Sequence, residues 1–403
     1  MGRETMAKAD KNTMGRESMK NILVTGSPGF IGASLVIKLL SSLSSGLIVS
    51  LDNLNDYYDP ELKLYRLGLI EEAAKSSQVK HFFIKGDIAD KKLIDSLFNQ
   101  YHFDIVVNLA AQAGVRYSID HSDVYINSNI LGFYNILEAC RHSYDYADSA
   151  DSTNSDGFDA VEGYAGVQHL VYASSSSVYG GNKKVPFSTD DPVDHPVSLY
   201  AATKKSNELL AHAYAKLYNI PSTGLRFFTV YGPAGRPDMF YFSATNRLVA
   251  GEKIKIFNYG DMKRDFTYVD DIVEGIIRVM NRPPMKATGH DGLPTPPYAL
   301  YNIGGGQPEN LLTFITVLQE ELVRAKILPP DYDFEGHREL VGMQAGDVPV
   351  TFADSEPLES DFGFRPSIDI RTGLRRFCEW YAKYYTQSKS QQSQQSQQTD
   401  KAE

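Results

Sequence analysis

Cysteine and long apolar runs are scarce in this chain of 403 residues, which has two cysteines, Cys140 and Cys378. Two cysteines form neither a disulfide framework nor a metal cluster, and they fit a reducing compartment. No apolar run approaches the roughly 20 residues that a membrane-spanning helix needs. The N-terminal stretch MGRETMAKADKNTMGRESMK lacks the apolar segment of a secretory signal. We therefore expect a cytoplasmic protein with no metal site and no membrane partner.

Positive charge is also in deficit. The chain has 40 Lys and Arg against 50 Asp and Glu, a formal net charge of −10. Surfaces that bind nucleic acid are normally basic, so this balance disfavours a nucleic-acid partner. Hydrophobic residues make up 42% of the chain, enough for one large domain or two closely joined ones.

Four segments lack the composition of a packed core. Residues 1–18 are polar and contain MGRE twice, and residues 386–403 are rich in Gln and Ser. Both are predicted to be disordered, because they cannot bury enough apolar area to fold. Residues 143–167 are acidic and rich in Ser and Gly, and residues 283–297 are rich in Pro and Gly. These two segments are predicted to be surface loops.

Between these segments, short apolar runs alternate with helical patterns such as IGASLVIKLLSSL. The predicted strands cover residues 21–26, 47–53, 81–87, 104–111, 169–175, 222–232 and 300–306. Alternation of this kind is typical of a parallel sheet with helices on both faces. The sequence thus predicts an α/β fold of the Rossmann type, with a doubly wound parallel sheet and a smaller α/β substrate-binding domain.

The first predicted strand runs into three glycines, Gly26, Gly29 and Gly32. Glycines here let the backbone turn tightly and approach a pyrophosphate at the N-terminus of the next helix. The spacing is G-x-x-G-x-x-G rather than G-x-G-x-x-G, and by itself it also fits a simple glycine-rich turn.

Two acidic residues strengthen the prediction of a dinucleotide site. Asp52 ends the second strand 20 residues after Gly32, where a carboxylate binds the adenosine ribose. A carboxylate there repels a 2′-phosphate, which favours NAD over NADP. Asp87 closes the third strand and is a candidate for contact with the adenine. Asp52 alone would also fit a helix N-cap.

A long helical pattern, SLYAATKKSNELLAHAYAKLY, carries Tyr200 and Lys204 four residues apart and so on one face. A free tyrosine is a poor base at neutral pH, and lowering its pKa by about 3 units requires roughly 4 kcal/mol. A Lys204 ammonium and a positive nicotinamide ring together would supply this energy. The pair alone also occurs by chance on many helices.

The run Ser174–Ser177 ends the fifth predicted strand. Ligands of open α/β sheets bind at the carboxyl ends of strands, so a hydroxyl there can hydrogen-bond the oxygen that a tyrosine deprotonates. A serine, Tyr200 and Lys204 would then form a short proton relay beside a nicotinamide.

Several motifs together resemble the NAD-dependent epimerase/dehydratase family, a group of extended short-chain dehydrogenases. They are TGSPGFIG, LAAQAGVRYS, YASSSSVYG, SLYAATKKSNELLAH, LRFFTVYGPAGRPDM and GDMKRDFTYVDDIVEG. The resemblance covers roughly residues 19–385, apart from the two predicted surface loops, which are insertions at 143–167 and 283–297. It implies an isomerase with NAD as cofactor, a UDP-sugar as substrate and a homodimer as the assembly. DNLNDYY (52–58) is similar to the subgroup that acts on UDP-glucuronate.

The resemblance also implies roles for individual residues. Ser175, Tyr200 and Lys204 are the implied catalytic residues, with Lys204 lowering the pKa of the tyrosine and binding the nicotinamide ribose. The implied cofactor-binding residues are Gly26, Gly29, Phe30, Ile31, Gly32, Asp52, Asn53, Asp87, Ile88, Leu109, Ala110, Ala111, Tyr200 and Lys204. The implied substrate-binding residues are Arg116, Ser175, Ser176, Thr229, Arg236, Phe257, Arg264, Gln344 and Asp347.

The identities of Ser176 and Ser177 restrict which of the family's reactions the resemblance implies. Dehydratases of the family carry Asp-Glu at these two positions, and decarboxylases of UDP-glucuronate carry a glutamate at the second. Serine is not ionised at neutral pH and is a poor general base. The resemblance therefore implies simple epimerisation at C4.

Thr229 and Arg236 match family positions near the sugar carboxylate, which Arg236 would bind bidentately. Arg116 is a further candidate for binding this carboxylate. Arg236 would alternatively cap a loop by bonding backbone carbonyls. At the nucleotide end, Arg264 is implied to bind the diphosphate.

Phe257, Gln344 and Asp347 resemble the uridine pocket of the family. The aromatic ring would stack on uracil, and the carboxylate would accept hydrogen bonds from ribose hydroxyls. Phe257 would alternatively belong to the core of a strand.

The implied function is interconversion of UDP-glucuronate and UDP-galacturonate by hydride transfer to and from bound NAD through a 4-keto sugar. Two alternatives stay open: a 4-epimerase of neutral UDP-hexoses such as UDP-glucose, and a non-catalytic NAD-binding regulatory protein. The expected domains are an NAD-binding part, 19–226 and 266–306, and a substrate-binding part, 227–265 and 307–385.

Overall fold

The computed structural model describes residues 20–145, 164–289, 292–344 and 347–399, with side chains up to residue 385. The predicted N-terminal extension and most of the insertion predicted at 143–167 lie outside the described residues. In the described part of the chain, no helix has the length and hydropathy needed to span a membrane.

The strands are β1 (Asn21–Thr25), β2 (Leu47–Asp52), β3 (Lys80–Lys85), β4 (Ile105–Asn108), β5 (His169–Ser175), β6 (Ser222–Phe227), β7 (Thr229–Tyr231), β8 (Ile254–Ile256), β9 (Lys263–Arg264), β10 (Phe266–Tyr268), β11 (Ala287–Thr288), β12 (Pro294–Thr295), β13 (Tyr298–Ile303), β14 (Glu309–Asn310) and β15 (Arg338–Leu340).

The α-helices are α1 (Phe30–Ser42), α2 (Pro60–Lys75), α3 (Lys91–Tyr101), α4 (Tyr117–Asp120), α5 (Ser122–Tyr125), α6 (Phe133–His142), α7 (Leu199–Tyr218), α8 (Phe240–Val249), α9 (Val269–Met280), α10 (Leu311–Arg324), α11 (Glu356–Phe362) and α12 (Ile370–Thr399). A π-helical segment covers Ile126–Gly132, and 3₁₀ turns cover Ser176–Tyr179 and Phe257–Gly260.

Seven parallel strands form the main sheet in the order β13-β6-β5-β4-β1-β2-β3. From β1 the chain builds outward through β2 and β3, and from β4 it builds in the opposite direction. The strand order therefore reverses between β1 and β4, which creates a crevice at the carboxyl ends of the strands. The predicted doubly wound α/β fold is confirmed.

Adjacent residues of the strands pack on opposite faces of the sheet, as the two-residue period of a strand requires. Ile22 and Val24 of β1 belong to one apolar cluster and Leu23 to the other. Helices α1 and α9 contact each other on the first face, while α3, α6 and α7 form a layer on the second. The sheet is thus covered on both faces.

One of these clusters continues from the sheet into the elements beyond β6. The ring of Tyr231 in β7 meets the edges of Phe266, Tyr268 and Phe314, and Phe266 stacks on Phe314 with ring centroids 3.8 Å apart. The elements assigned from sequence to a second domain therefore share an apolar core with the sheet, which fixes their position over its carboxyl edge.

The structure differs from the predicted elements in three places. The strand predicted at 222–232 is divided, because after Phe227 the chain leaves the sheet and Thr229 N donates to Asp265 O at 3.1 Å. The loop predicted at 283–297 contains the short antiparallel pair β11–β12. Helix α12 continues to Thr399, into the segment predicted to be disordered; Gln has a helix propensity close to that of Lys.

Candidate active site

A cavity of about 800 Å³ opens along the carboxyl ends of the strands. Its walls include every cofactor-binding and catalytic residue predicted from the sequence, and also Arg116, Ser176, Thr229, Arg236, Arg264 and Asp347. Two predicted substrate-binding residues, Phe257 and Gln344, are absent from these walls. The cavity therefore brings together residues from the carboxyl ends of six strands, β1 to β6, and from the segments beyond the sheet.

The glycine-rich turn lies between β1 and the N-terminus of α1. Gly26 has φ +69°, and a Cβ there would come within 2.7 Å of Ala110 N. A Cβ on Gly32 would come within 2.2 Å of Gly26 O, so the first turn of α1 packs directly on the loop. Gly29 caps α1 with no side-chain hydrogen bond. Open backbone N–H groups at a helix N-terminus fit a pyrophosphate.

Asp52 and Asp87 lie at the ends of neighbouring segments beside this turn. Asp52 accepts from Leu54 N at 2.7 Å, and Asp87 accepts from Asn53 Nδ2 at 2.9 Å. Burial raises the pKa of Asp52, while the Lys63 ammonium 3.9 Å away lowers it in part. Asp52 does not cap α2, because the N-cap of that helix is Asp59, which accepts from Glu61 N. These carboxylates, with the glycine cradle, fit the adenosine end of a dinucleotide.

Ser175 and Tyr200 meet where β5 ends and α7 begins. Ser198 caps α7 by accepting from Ala201 N at 3.1 Å, which places Tyr200 in the first turn of the helix. The Ser175 hydroxyl interacts with the Tyr200 phenol and lowers its pKa in part. The same hydroxyl donates to Ser177 Oγ and accepts from Ser177 N, both at 3.1 Å. The predicted hydroxyl pair is therefore in contact.

The expected lowering of the Tyr200 pKa involves the nicotinamide ring as well as Lys204, and the chain alone supplies only part of it. Burial raises the pKa of Tyr200 above its usual value, and the groups that lower it in part are Ser175 and Arg236. Lys204 instead donates from Nζ to Ala173 O at 2.8 Å, and burial lowers the pKa of Lys204 to about 8. In the chain without a cofactor, the groups that lower the pKa of Tyr200 are thus Ser175 and Arg236. A phenolate at neutral pH requires a further positive charge.

The remaining serines of the run have different surroundings. Ser176 and Ser177 line the cavity, so these two positions of the wall carry hydroxyl groups and not carboxylates. Ser174 is 2% exposed and donates to Glu208 Oε1 at 2.7 Å. Glu208 in turn forms a buried bidentate ion pair with Arg226, with both N–O distances 2.8 Å. Ser174 also lines the cavity, and its hydroxyl connects β5 to α7.

Arg236 lies in the loop between β7 and α8 and lines the cavity together with Thr229. Its guanidinium is paired with Asp238, through Nε to Oδ1 at 3.1 Å and Nη2 to Oδ2 at 2.7 Å. Tyr57 OH also donates to Asp238 Oδ2, at 3.2 Å. The alternative that Arg236 caps the loop by bonding carbonyls is not what the structure shows.

Three further charged residues line the cavity, and they are Arg116, Arg264 and Asp347. Arg116 Nη2 lies 3.3 Å from Asp347 Oδ2, and its guanidinium lies over the ring of Phe257 at 4.9 Å from the centroid. Burial lowers the pKa of Arg264, and the charge of Asp347 opposes this effect. Phe257 thus contacts a cavity residue although it packs mainly against the core. Gln344 has a buried Oε1 with no partner in the described part of the chain.

Tyr57, Arg66 and Asp238 were missed as site residues in the sequence analysis. Tyr57 lies within the quoted motif DNLNDYY and Asp238 within GRPDM, so the motifs contained them without assigning a role. Arg66 is 1% exposed and donates to Ala234 O and Gly235 O, both at 2.8 Å, and to Pro28 O at 3.2 Å. It therefore joins the glycine-rich turn to the loop that carries Arg236.

The sequence of this chain is similar to the sequences of known proteins along most of its length. The profile of the NAD dependent epimerase/dehydratase family matches residues 22–304. Protein CapI of Staphylococcus aureus is 44% identical over 371 residues, 90% of this chain and 99% of that protein. UDP-glucuronate 4-epimerase 4 of Arabidopsis thaliana is 41% identical over 375 residues, 91% of this chain and 76% of that protein.

A solved structure is similar over nearly the same extent. It is that of UDP-glucuronic acid 4-epimerase from Bacillus cereus in complex with UDP-glucuronic acid and NAD. The two share 27% identity with a TM-score of 0.71, over 91% of this chain and 99% of the other.

Proposed function

The chain belongs to the NAD-dependent epimerase/dehydratase family, and on that premise we propose that it interconverts UDP-glucuronate and UDP-galacturonate. It is an NAD-dependent isomerase of nucleotide sugars. The uronate is the finer proposal, and the relatives that carry UDP-glucuronate in their names support it.

One observation carries the proposal. The cavity wall holds the contacting pair Ser175 and Tyr200 beside Ser176 and Ser177, with Arg236 on the same cavity. A tyrosine and a serine suffice to move the proton of one hydroxyl. Without a carboxylate at 176 or 177, the chain has no base there for a second step at the sugar. An arginine in the wall suits a sugar that carries a carboxylate.

In the proposed mechanism, Tyr200 removes the proton of the C4 hydroxyl while Ser175 hydrogen-bonds the same oxygen. The glycine-rich turn, Asp52 and Asp87 would hold NAD, which when bound would supply a reversible hydride acceptor for C4 and the positive charge of its oxidised ring. The 4-keto sugar rotates in the cavity, and Tyr200 then returns the proton to the C4 oxygen with the configuration inverted. Acid–base catalysis of this kind typically contributes about 10²- to 10⁴-fold in rate.

The charge that NAD brings matters because the chain alone keeps Tyr200 protonated. Burial favours the neutral phenol, and the charge of Arg236 offsets this only in part. The proposed base therefore forms when the cofactor is bound, which couples proton transfer to occupation of the site.

The 4-keto form of a uronate is a β-keto acid that can lose carbon dioxide. We propose that Thr229 and Arg236 hold its carboxylate in a fixed orientation and so limit this loss. Both residues line the cavity, Thr229 as the first residue of β7 and Arg236 in the loop that follows β7. Arg264 is proposed to bind the diphosphate, and Phe257, Gln344 and Asp347 the uridine. Arg116, a candidate for the sugar carboxylate, instead contacts Asp347 and Phe257 of this group.

Two parts of the chain are proposed to bind different ligands. Residues 19–226 and 266–306 would hold NAD through the glycine-rich turn, Asp52 and Asp87. Residues 227–265 and 307–385 would hold the UDP-sugar. A homodimer is proposed as the assembly, since Ile126 and Leu209 are 49% and 59% exposed on adjoining helices that offer an apolar face.

One observation favours the neutral-sugar alternative. Asp238 already neutralises Arg236, so the wall is less positive than an arginine alone would make it. Initial rates with UDP-glucuronate and UDP-glucose at matched concentrations distinguish the two functions. The proposal predicts a clear preference in kcat/KM for the uronate, and conversion of UDP-glucose alone would refute it. Neither sugar reacting would favour the non-catalytic alternative.

A further inference from the structure

Asp238 occupies one edge of the Arg236 guanidinium. The Nε and Nη2 atoms of the arginine each contact one carboxylate oxygen, at 3.1 and 2.7 Å, in the side-on bidentate arrangement. The two residues lie in the same loop and are separated by Pro237. The pair therefore fixes the plane of the guanidinium relative to the loop.

Asp238 is itself held from another part of the chain. Tyr57 OH donates to Asp238 Oδ2 at 3.2 Å, and the Tyr57 ring contacts Tyr117 edge-on with centroids 4.8 Å apart. A Cβ on Gly114 would lie 2.7 Å from Tyr57 OH, so this tyrosine packs closely on the loop after β4. Burial and the charge of Asp238 raise the pKa of Tyr57, which keeps it a donor.

The backbone of the same loop is also anchored. Arg66 donates to the carbonyls of Ala234 and Gly235 and is 1% exposed. The segment from Tyr57 to Arg66 thus holds the loop twice, by its backbone and by the carboxylate of Asp238. Loss of either contact would leave Arg236 on a less constrained loop.

The other edge of the guanidinium is available. Arg236 lines the cavity, and in the described part of the chain its Nη1 atom has no hydrogen-bond partner. A guanidinium has five N–H donors in a rigid fork, so occupation of the Nε edge leaves the Nη1 side for a second carboxylate.

We propose that Asp238, held by Tyr57, is a positioning residue that sets the preference for a sugar with a carboxylate. It holds one edge of Arg236 so that the other edge meets the carboxylate of the substrate. This inference rests on the proposed function. In the opposite role, Asp238 would compete with the substrate carboxylate for Arg236 and would have to be displaced before the substrate binds. Displacement would break the contacts with both Arg236 and Tyr57 and leave two carboxylates close together in the cavity.

The test uses Asp238→Asn and Tyr57→Phe in the full chain with NAD bound. KM and kcat are measured for UDP-glucuronate, and the Kd of UDP is measured by calorimetry. We expect Asp238→Asn to raise KM about ten-fold with kcat changed less than three-fold and the Kd of UDP unchanged. Tyr57→Phe should shift KM in the same direction by a smaller factor. Asp331→Asn, the same change at an exposed aspartate outside the cavity walls, should have no effect.

A lower or unchanged KM in Asp238→Asn would overturn the positioning role. A rise in KM matched by an equal weakening of UDP binding would also overturn it, because the damage would then not be specific to the sugar carboxylate. The unmodified protein is assayed alongside, and its failure to convert UDP-glucuronate refutes the proposed function itself. The two failures are therefore distinguishable.

Discussion

Lys204 donates a hydrogen bond from Nζ to the carbonyl oxygen of Ala173, 2.8 Å away. This bond joins the helix that carries Tyr200 to the strand that ends at Ser175. One turn further along α7, Glu208 accepts from Ser174 on the same strand at 2.7 Å. Two successive turns of the helix are thus attached to the strand, and the contact between tyrosine and serine hydroxyls follows from this attachment.

Tyr200→Phe removes the phenol oxygen and leaves the ring. We expect kcat to fall by about 10²- to 10⁴-fold, because a general acid–base group is lost, while KM changes little. Turnover of UDP-glucuronate by the variant and the original protein, at equal NAD content, measures the effect. Activity near that of the original protein would exclude Tyr200 as the base.

Lys204 makes stability depend on pH. The folded chain has a Lys204 pKa of about 8 against 10.5 for the free side chain, so between these values the unfolded chain binds more protons. Stability must therefore rise as pH increases across this window, by at most roughly 3 kcal/mol. The free energy of unfolding is measured by urea denaturation from pH 7.5 to 10.5, on protein freed of NAD because the cofactor's charge would act on Lys204.

Lys204→Met is the reference for that experiment, since it lacks the titrating group. The difference in unfolding free energy between the original protein and this variant should increase with pH. A difference that stays level or decreases would mean that Lys204 is not a destabilising buried charge.

Glu208 and Arg226 are 2% and 1% exposed, so removal of one charge leaves the other buried and uncompensated. We expect Glu208→Gln to lower the free energy of unfolding by about 3–5 kcal/mol. Glu72→Gln is the matched control, because the Glu72–Lys75 pair is 72% exposed on both sides and such pairs contribute little to stability. Equal effects of the two changes in urea denaturation would contradict the importance of burial.

Ser177→Glu tests whether the missing carboxylate limits the reaction. With a carboxylate beside the 4-keto sugar, the bond from C5 to its carboxyl group can break, with carbon dioxide leaving and the electron pair moving to the C4 oxygen. We expect a UDP-pentose to accumulate above its level in the original protein. Ser177→Gln, of similar size and without charge, should not produce it. Absence of any such product in the glutamate variant would weaken the interpretation of the serine run.

The fold was predictable because its signals are local. Apolar runs alternating with helical patterns mark the strands, and the three glycines mark the turn after β1. The Ser175–Tyr200 contact was predictable too, since both residues belong to motifs at the carboxyl edge of a parallel sheet. These predictions need no knowledge of how distant loops meet.

What the sequence analysis missed depends on contacts between distant segments. Tyr57 meets Asp238 across 181 residues, and Arg66 meets Ala234 across 168, and no periodicity reports such a contact. The raised pKa of Tyr200 in the chain without NAD was not predicted either, because it is set by burial that a motif does not reveal. Ion pairs in loops and pKa values in cavities require the packed structure.

The central claim is that the protein inverts C4 of UDP-glucuronate and does nothing further to the sugar. Proton NMR of purified protein incubated with UDP-glucuronate tests it directly. The account predicts that UDP-galacturonate accumulates to an equilibrium mixture with UDP-glucuronate, with no UDP-pentose and no persistent 4-keto sugar. An unchanged spectrum, or a UDP-pentose as the main product, would contradict it.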